Sequence, residues 1–269
     1  MTQRLRPFLA LLLAVAALAG PALAAGPEHS DPRVRLALLS GWGEADGRRV
    51  AGFRVQLAPG WKTYWRTPGE AGIPPHFDWS RSENVAGVEV RWPRPVAFDT
   101  YGMLTLGYER EVTFPLELTP EDPERAMRLA LDVLFGLCSD ICIPAQASLE
   151  LTIPPGAPLD GARAISAALS AEPTPAAAAG VLIEACDVEG TGEARRLVAT
   201  LRVPAGAATP FAVVEAPAPV RAGAVAVRRE GDRLHLSAPL APADAWVGRG
   251  GFRITLLSPE AAVEATGCP

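Results

Sequence analysis

Residues 127–153 read Met-Arg-Leu-Ala-Leu-Asp-Val-Leu-Phe-Gly-Leu-Cys-Ser-Asp-Ile-Cys-Ile-Pro-Ala-Gln-Ala-Ser-Leu-Glu-Leu-Thr-Ile, and this stretch decides the fold. From Met127 to Leu137 every odd-numbered side chain is apolar, and the same holds again from Ala147 to Ile153. Successive side chains of a β-strand point to opposite faces of a sheet. The pattern therefore predicts two strands, joined as a hairpin, whose odd positions lie in the core.

The turn of this hairpin contains a closely spaced cysteine pair, Cys138 and Cys142. Both have the parity of the polar positions, so we expect both sulfurs on one outward, exposed face near the tip. A bulge at Pro144 would break this parity. In the chain-entropy model, closing a loop of about five residues contributes about 2 kcal/mol, against about 4.6 kcal/mol for a loop of about 83 residues. A bond that stabilises so little and stays accessible suits a disulfide that is made and broken. A structural disulfide and a copper-binding thiolate pair are the alternatives.

Strand-like segments separated by turns rich in Gly and Pro occur in both halves of the chain, which predicts an all-β protein. These segments are 33–39, 52–57, Val88–Trp92 and Val112–Leu118, then Leu197–Val203, Phe211–Glu215, Ala224–Arg229, Leu234–Ala238, Phe252–Leu257 and Ala261–Ala265. We expect two tandem β domains. The first is a β-sandwich over residues 31–155 that carries the cysteine pair. An Ala/Pro-rich linker over 156–178, with a short helix at Ala162–Ser170, leads to a second, smaller β-sandwich over 179–269.

The N-terminus has the pattern of an export signal. Arg4 and Arg6 precede an apolar run, and Ala22-Leu23-Ala24 matches the small-x-small cleavage pattern. We predict a signal peptide over residues 1–25 and a mature chain in the periplasm that does not insert into the membrane. Removing the two arginines changes the formal charge from −5 to −7. This acidity argues against nucleic acid and anionic membrane surfaces as partners.

The remaining cysteines and the histidines carry less information. Cys186 and Cys268 are far apart in sequence, and pairing would make a structural staple for the C-terminus; an unpaired thiol on a frayed tail is the alternative. The chain has three histidines with no ligand spacing between them. We therefore expect no metal site, no cofactor and no serine triad.

Several motifs around the cysteine pair resemble a known family. They are Gly60-Trp-Lys-Thr-Tyr-Trp-Arg66, Pro68-Gly-Glu-Ala-Gly72, Phe77-Asp-Trp79, Trp92-Pro93, Gly107-Tyr108, Phe114-Pro115 and Cys138-Ser-Asp-Ile-Cys-Ile-Pro144. Over about residues 33–155 the chain is similar to the N-terminal periplasmic region of DsbD-type thiol:disulfide interchange proteins, and especially to their ScsB-like branch. The resemblance implies an immunoglobulin-like β-sandwich and a thiol–disulfide oxidoreductase. Its cysteine pair would relay reducing equivalents from a membrane-embedded DsbD-like transporter to periplasmic thioredoxin-like proteins.

The resemblance also implies roles for single residues. Cys138 and Cys142 would be the redox pair, with Cys142 as the attacking thiol and Cys138 resolving the mixed disulfide. Asp140 would modulate the pair or serve only as a turn residue. The Gly/Pro-rich loop at 66–76 would cap the disulfide, with Tyr64 and Phe77 as cap candidates, and packing in the core is the alternative for these aromatic residues. The sequence has no membrane domain and no C-x-x-C motif, so we expect a separately encoded transporter as partner. The alternative is a non-catalytic β-sandwich interaction module with a fixed disulfide.

Overall fold

The chain folds into paired antiparallel β-sheets, with one α-helix among the residues that the structure describes. The computed structural model describes residues 29–100, 102–156, 160–205, 209–242, 245, 247–259 and 261–268. The strands are β1 His29–Asp31, β2 Val34–Gly43, β3 Arg49–Leu57, β4 Lys62–Gly69, β5 His76–Asp78, β6 Val85–Val90, β7 Val96–Thr100, β8 Met103–Glu109, β9 Glu111–Pro120, β10 Met127–Cys138, β11 Cys142–Ile153, β12 Thr174–Pro175, β13 Leu182–Glu189, β14 Arg196–Arg202, β15 Phe211–Glu215, β16 Arg221–Ala222, β17 Ala226–Glu230, β18 Arg233–Ala241, β19 Arg253–Leu257 and β20 Ala262–Thr266, and the helix is α1 Ala162–Ser170. The predicted all-β, immunoglobulin-like class is confirmed. The predicted signal peptide lies outside the described residues.

The first sandwich consists of two sheets built from β1–β11. One sheet has the order β1-β2-β3-β9-β6, and the other has the order β11-β10-β4-β8-β7, with β5 paired to β10. Between them lies a core of fully buried side chains such as Leu36, Phe53, Trp65, Leu116 and Leu131. The sequence did not predict β4, yet it lies in the middle of the second sheet, between β10 and β8.

The β10–β11 hairpin has the predicted register. Its pairing runs without a shift from Met127↔Ile153 to Cys138↔Cys142, so no bulge occurs at Pro144. The odd-numbered residues of β10 are all buried against the core. The hairpin therefore delivers the two cysteines as direct cross-strand neighbours.

The stretch predicted as a linker is attached to both sandwiches. Helix α1 has the predicted bounds and buries Ile165 against Leu39 and Val50 of the first sandwich. Gly52 leaves room for it, because a Cβ there would lie 2.9 Å from Ile165 Cγ1. Four residues after the helix, β12 pairs in parallel with β20. This stretch thus packs on the first sandwich at one end and joins a sheet of the second at the other.

The second sandwich consists of the sheet β12-β20-β19-β15 and the sheet β13-β14-β18-β16, with β17 also paired to β18. Its own core includes Leu201, Leu234 and Phe252. The opposite face of the β15–β19–β20 sheet carries Val213, Leu257 and Ala262, which belong to the core cluster of the first sandwich. The two sandwiches are therefore joined by apolar contacts.

Candidate functional site

The cysteine pair forms a disulfide at the closed end of the β10–β11 hairpin. Cys138 and Cys142 are opposite each other in the register, with their Cα atoms 4.1 Å apart. Only Ser139, Asp140 and Ile141 separate them, and Ile141 is 70% exposed. The uninterrupted ladder of the hairpin therefore holds the two sulfurs together at a protruding tip.

The two cysteines differ in accessibility, which corrects the sequence-based expectation. Parity placed both sulfurs on the outward, exposed face, and Cys142 is exposed. Cys138, however, is only 1% exposed. Parity determines the face on which a side chain lies, whereas burial depends on what covers that face. Here the cover comes from a distant part of the chain.

At Gly136, two residues before Cys138, this face of β10 is covered by Tyr64 and the segment Pro68–Ile73, which we call the cap. On β4, Trp65 points into the core while Tyr64 lies on the opposite face, over β10. The Tyr64 ring rests against Gly136, where an added Cβ would lie 2.7 Å from Cδ2 of the ring. On its other edge it meets Gly72, where a Cβ would lie 2.7 Å from Cδ1. Two glycines thus form the slot that this ring fills.

Tyr64 also contacts the disulfide directly. Its hydroxyl lies 2.9 Å from Cys142 Sγ, and a disulfide sulfur carries no proton, so the hydroxyl is the donor. Burial raises the pKa of Tyr64 above its usual value. The hydroxyl therefore stays neutral and able to donate throughout the physiological pH range. The structure thus places Tyr64, a predicted cap candidate, beside the disulfide, and its role as a cap stays a prediction.

Phe77, the other cap candidate, lies elsewhere. On β5 it pairs with Val133, five positions before Cys138 on β10, which corresponds to about 17 Å along a strand. Its ring packs against those of Phe53, Trp79, Trp92 and Phe114. It therefore belongs to an aromatic cluster of the core, because its parity on β5 turns it inward.

Asp140 is exposed at the hairpin tip. It lines a shallow groove together with Lys62, Arg110 and the ring of Phe98. Lys62 Nζ lies 4.9 Å from the centre of that ring. The tip thus carries charges of both signs beside the disulfide. The role of Asp140 as a modulator of the pair stays a prediction.

Cys186 and Cys268 form a second disulfide with different surroundings. Cys186 lies on β13 and Cys268 follows β20, 82 positions later. Both are buried in the core of the second sandwich, and their Cα atoms lie 5.2 Å apart. This bond connects the end of the described chain to an early strand of that sandwich, the arrangement of a structural staple.

Neither a metal-ligand cluster nor a membrane-spanning helix occurs in the part of the chain that the structure describes. No group of three or more His, Cys, Asp or Glu side chains lies close enough together to hold a metal ion there. No helix in the described ranges has the length and apolar character needed to cross a bilayer.

The loop at 66–76, a cap candidate from the sequence, contains Pro68, Gly72 and Ile73, but sequence reasoning missed Gly136, on which the cap packs. An added Cβ at Gly136 would also lie 2.9 Å from Ile73 Cβ, and one at Gly72 would lie 2.3 Å from Pro68 Cβ. A signal was present in the sequence, since a single glycine inside a long apolar strand often marks the close approach of another group.

Comparisons with known proteins agree with this site. Residues 39–154 match the family described as "Thiol:disulfide interchange protein DsbD, N-terminal". The N-terminal periplasmic domain of ScsB from Proteus mirabilis matches with a TM-score of 0.68 and 25% sequence identity, covering 90% of this chain and 96% of that chain. The reduced DsbD N-terminal domain from Neisseria meningitidis covers 45% of this chain and 85% of that chain, at 14% identity and a TM-score of 0.26. No curated protein matches the sequence. Residues 39–154 therefore match the DsbD N-terminal family model, within a chain that resembles the ScsB N-terminal periplasmic domain over most of its length.

Proposed function

We propose that the protein is a periplasmic thiol–disulfide exchange protein whose redox centre is Cys138 and Cys142. The observation that carries the proposal is the asymmetric shielding of one disulfide. Cys142 is exposed at a hairpin tip, while Cys138 is buried, two residues after the glycine on which the cap packs. A purely structural bond has no need of a reachable sulfur, and a bond across so few residues stabilises the fold by only about 2 kcal/mol.

The exchange has two half-reactions. In the first, a thiolate of a dithiol donor attacks Cys142 Sγ, the Cys138–Cys142 bond breaks, and Cys138 leaves as a thiolate. The donor's second thiolate then attacks the mixed disulfide, so that the donor is oxidised and the pair receives two electrons and, at neutral pH, protons from solvent. In the second half-reaction the Cys142 thiolate attacks an acceptor's disulfide, and Cys138 resolves the mixed disulfide. The pair returns to the oxidised state described here.

The geometry favours Cys142 as the attacking residue. Its sulfur is the one that a partner reaches first, because Cys142 is exposed whereas Cys138 is only 1% exposed. Cys138 is also fixed on β10 directly opposite Cys142, so it is well placed to resolve a mixed disulfide. Tyr64, whose hydroxyl already reaches the Cys142 sulfur, would orient it.

The partners follow from the family. A domain of the "Thiol:disulfide interchange protein DsbD, N-terminal" type supports a role in thiol–disulfide interchange in general. The similarity to a periplasmic domain of ScsB supports a periplasmic location. We infer that the donor is a membrane-embedded DsbD-like transporter and that the acceptors are thioredoxin-like proteins, because the relay needs a dithiol on one side and a disulfide on the other.

Trapping experiments test the proposal. Cys138→Ser leaves the exposed Cys142 thiol without a resolving partner, so it should accumulate a mixed disulfide with an oxidised thioredoxin-like protein. Cys142→Ser should trap far less, because the remaining thiol is buried. The double variant Cys186→Ser/Cys268→Ser is the matched control and should transfer electrons like the wild type.

Two results would count against the proposed function. One is a reduction potential of the Cys138–Cys142 pair below about −300 mV, the range of structural disulfides. The other is equal trapping by the two single variants. If the double variant Cys138→Ser/Cys142→Ser still binds the partner with wild-type affinity while the wild type transfers no electrons, the chain is an interaction module.

A further inference from the structure

An ionic clamp joins the strand that carries Tyr64 to the second sandwich. Arg66, two residues after Tyr64 on β4, donates from Nε to Glu215 Oε1 at 2.9 Å and from Nη2 to Glu215 Oε2 at 2.9 Å. The same Nη2 also donates to Glu264 Oε2. Thr67 Oγ1 adds a hydrogen bond of 2.8 Å to Glu215 Oε1. We call Arg66, Glu215 and Glu264 the clamp.

The three side chains of the clamp are partly buried. The side chains of Arg66, Glu215 and Glu264 are 13%, 21% and 20% exposed. Burial by itself lowers the pKa of Arg66, but the hydrogen bonds and charges of Glu215 and Glu264 outweigh it and raise the pKa above its usual value. The guanidinium also lies over the Trp65 ring, 4.1 Å from its centre. Water screens such a group less than it screens a surface ion pair.

The clamp binds a part of β4 that has no paired residues on β8. The pairing of β4 with β8 shifts register between Tyr64↔Gly107 and Gly69↔Thr105, so residues 65–68 have no paired residue on β8. Two side-chain anchors hold this bulge instead. Trp65 is buried in the first core, and Arg66 and Thr67 are bonded to the second sandwich. Tyr64 lies just before the bulge, and Pro68, which packs on Gly72, lies at its end.

On the second sandwich, Arg66 meets the β15–β19–β20 sheet, whose strands pair without a register shift. Phe211, Leu257 and Ala262 form one cross-strand row, Val213, Thr255 and Glu264 the next, and Glu215, Arg253 and Thr266 the third. Two neighbours on β19 hold the Glu264 carboxylate in place, since Thr255 Oγ1 donates to Glu264 Oε2 at 3.3 Å and Arg253 Nε lies 3.4 Å from Glu264 Oε1. A rigid sheet thus presents two oriented carboxylates to one arginine.

We propose that the second sandwich holds the cap closed through Arg66, which makes Arg66 a positioning residue for the exchange at Cys138 and Cys142. The inference rests on the proposed function, because it gives the second sandwich a task in that same site. Loss of the Arg66 contacts leaves the bulge anchored only by Trp65 and the single hydrogen bond of Thr67. Tyr64 and Pro68 then leave the glycine slot more often, and the disulfide becomes open to any small thiol.

The test measures how fast dithiothreitol reduces the Cys138–Cys142 bond in the full chain. Reduced cysteines are labelled with a maleimide and identified by peptide mapping, so that the Cys186–Cys268 bond is followed separately. We expect Glu215→Gln and Arg66→Gln each to raise the rate constant about 5- to 30-fold, the factor by which losing a contact of this size shifts an open–closed equilibrium. The double variant should exceed the larger single effect by less than about twofold, because both changes remove the same contact.

Glu184→Gln is the matched control. Glu184 also binds two arginines, Arg202 and Arg233, and its side chain is 21% exposed like that of Glu215, but it lies within the second sandwich. Its variant should react within about twofold of the wild type at a comparable loss of thermal stability. Should Arg66→Gln fail to fold, Thr67→Val removes only the outer hydrogen bond and should still raise the rate measurably.

Wild-type reduction rates in the folded Glu215→Gln and Arg66→Gln variants would overturn the inference, and so would an equal rise in Glu184→Gln. Failure of the proposed function would give a different experimental result. In that case wild-type protein transfers no electrons to thioredoxin-like proteins, while the clamp variants still react faster with dithiothreitol than the wild type does.

Discussion

Gly136→Ala should open the cap without unfolding the sandwich. The new methyl group would lie 2.7 Å from Tyr64 Cδ2, 2.8 Å from Tyr64 Cε2 and 2.9 Å from Ile73 Cβ. These distances are about 0.5–0.7 Å shorter than an ordinary van der Waals contact, which begins at 3.4 Å. Overpacking of this kind costs about 1–3 kcal/mol. Because the backbone of Gly136 is held in the unbroken β10–β11 ladder while the contacts to be relieved are side-chain atoms of Tyr64 and Ile73, the cap is the part that we expect to yield.

If the whole strain falls on the closed cap, the ratio of open to closed forms rises about 5- to 150-fold. The rate at which dithiothreitol reduces Cys138–Cys142 should rise by the same factor, measured by maleimide labelling over time. Gly87→Ala is the control. Gly87 lies on β6, a Cβ there meets nothing within 4 Å, and the change should leave the rate unaltered and the fold no less stable.

The reasoning would be refuted by a Gly136→Ala protein that is reduced at the wild-type rate but unfolds at a clearly lower temperature. That result would mean that the strain falls on the β10–β11 sheet itself and that the glycine serves core packing. A rise in rate with an unchanged thermal midpoint would locate the strain in the cap.

Three further predictions concern the cap, the second disulfide and acid stability. Tyr64→Phe keeps the ring and should change the rate at which dithiothreitol reduces Cys138–Cys142 by at most about fivefold, the effect of losing one net hydrogen bond. Tyr64→Ala should raise this rate at least about tenfold. Equal effects of the two variants would mean that the hydroxyl, and not the ring, shields the disulfide. Replacing Cys186 and Cys268 by serine should lower the free energy of unfolding, measured in urea, by about 4.6 kcal/mol in the chain-entropy model, against about 2 kcal/mol for Cys138 and Cys142. A larger loss from the Cys138–Cys142 pair would contradict the assignment of Cys186–Cys268 as the structural disulfide. Hydrogen bonding by Arg81 lowers the pKa of Asp132 from 3.8 to about 2, so the pair contributes stability above pH 3.8 that is lost as the pH falls towards 2. The thermal midpoint of Asp132→Asn should therefore fall less steeply with pH than that of the wild type over this range. Parallel curves of thermal midpoint against pH would contradict the effect.

The hairpin could be predicted from the sequence because one physical rule decides it. In β10 and β11 the odd side chains face the core and the even ones face away, so a period of two is visible along the chain. Strand β4 lacks this signal. Two successive residues of β4 are both buried, Tyr64 within the cap and Trp65 in the core. A strand that is covered on both faces loses the alternation on which the prediction depends.

The cover of the site could not be predicted from local sequence. Tyr64 and Cys142 are 78 positions apart, and Arg66 is separated from Glu215 by 149 positions and from Glu264 by 198. Parity correctly placed Cys138 on the outward face, but no local pattern shows which distant residues cover that face. The second sandwich carried no recognisable motif for the same reason. Its contribution is a pair of carboxylates whose meaning depends on the arginine that they meet.

The two disulfides show how one chain combines a bond that can be broken with a fold that must persist. In the hairpin, the ladder from Met127↔Ile153 to Cys138↔Cys142 holds the sulfurs opposite each other, and it does so with or without the covalent bond. Breaking the bond therefore costs little stability, and reforming it needs no search. Such a bond is exposed to unselective reduction unless something covers it. Because the cover is a side-chain ring that packs in a glycine slot, it protects the bond, and we expect that a docking partner can still displace it.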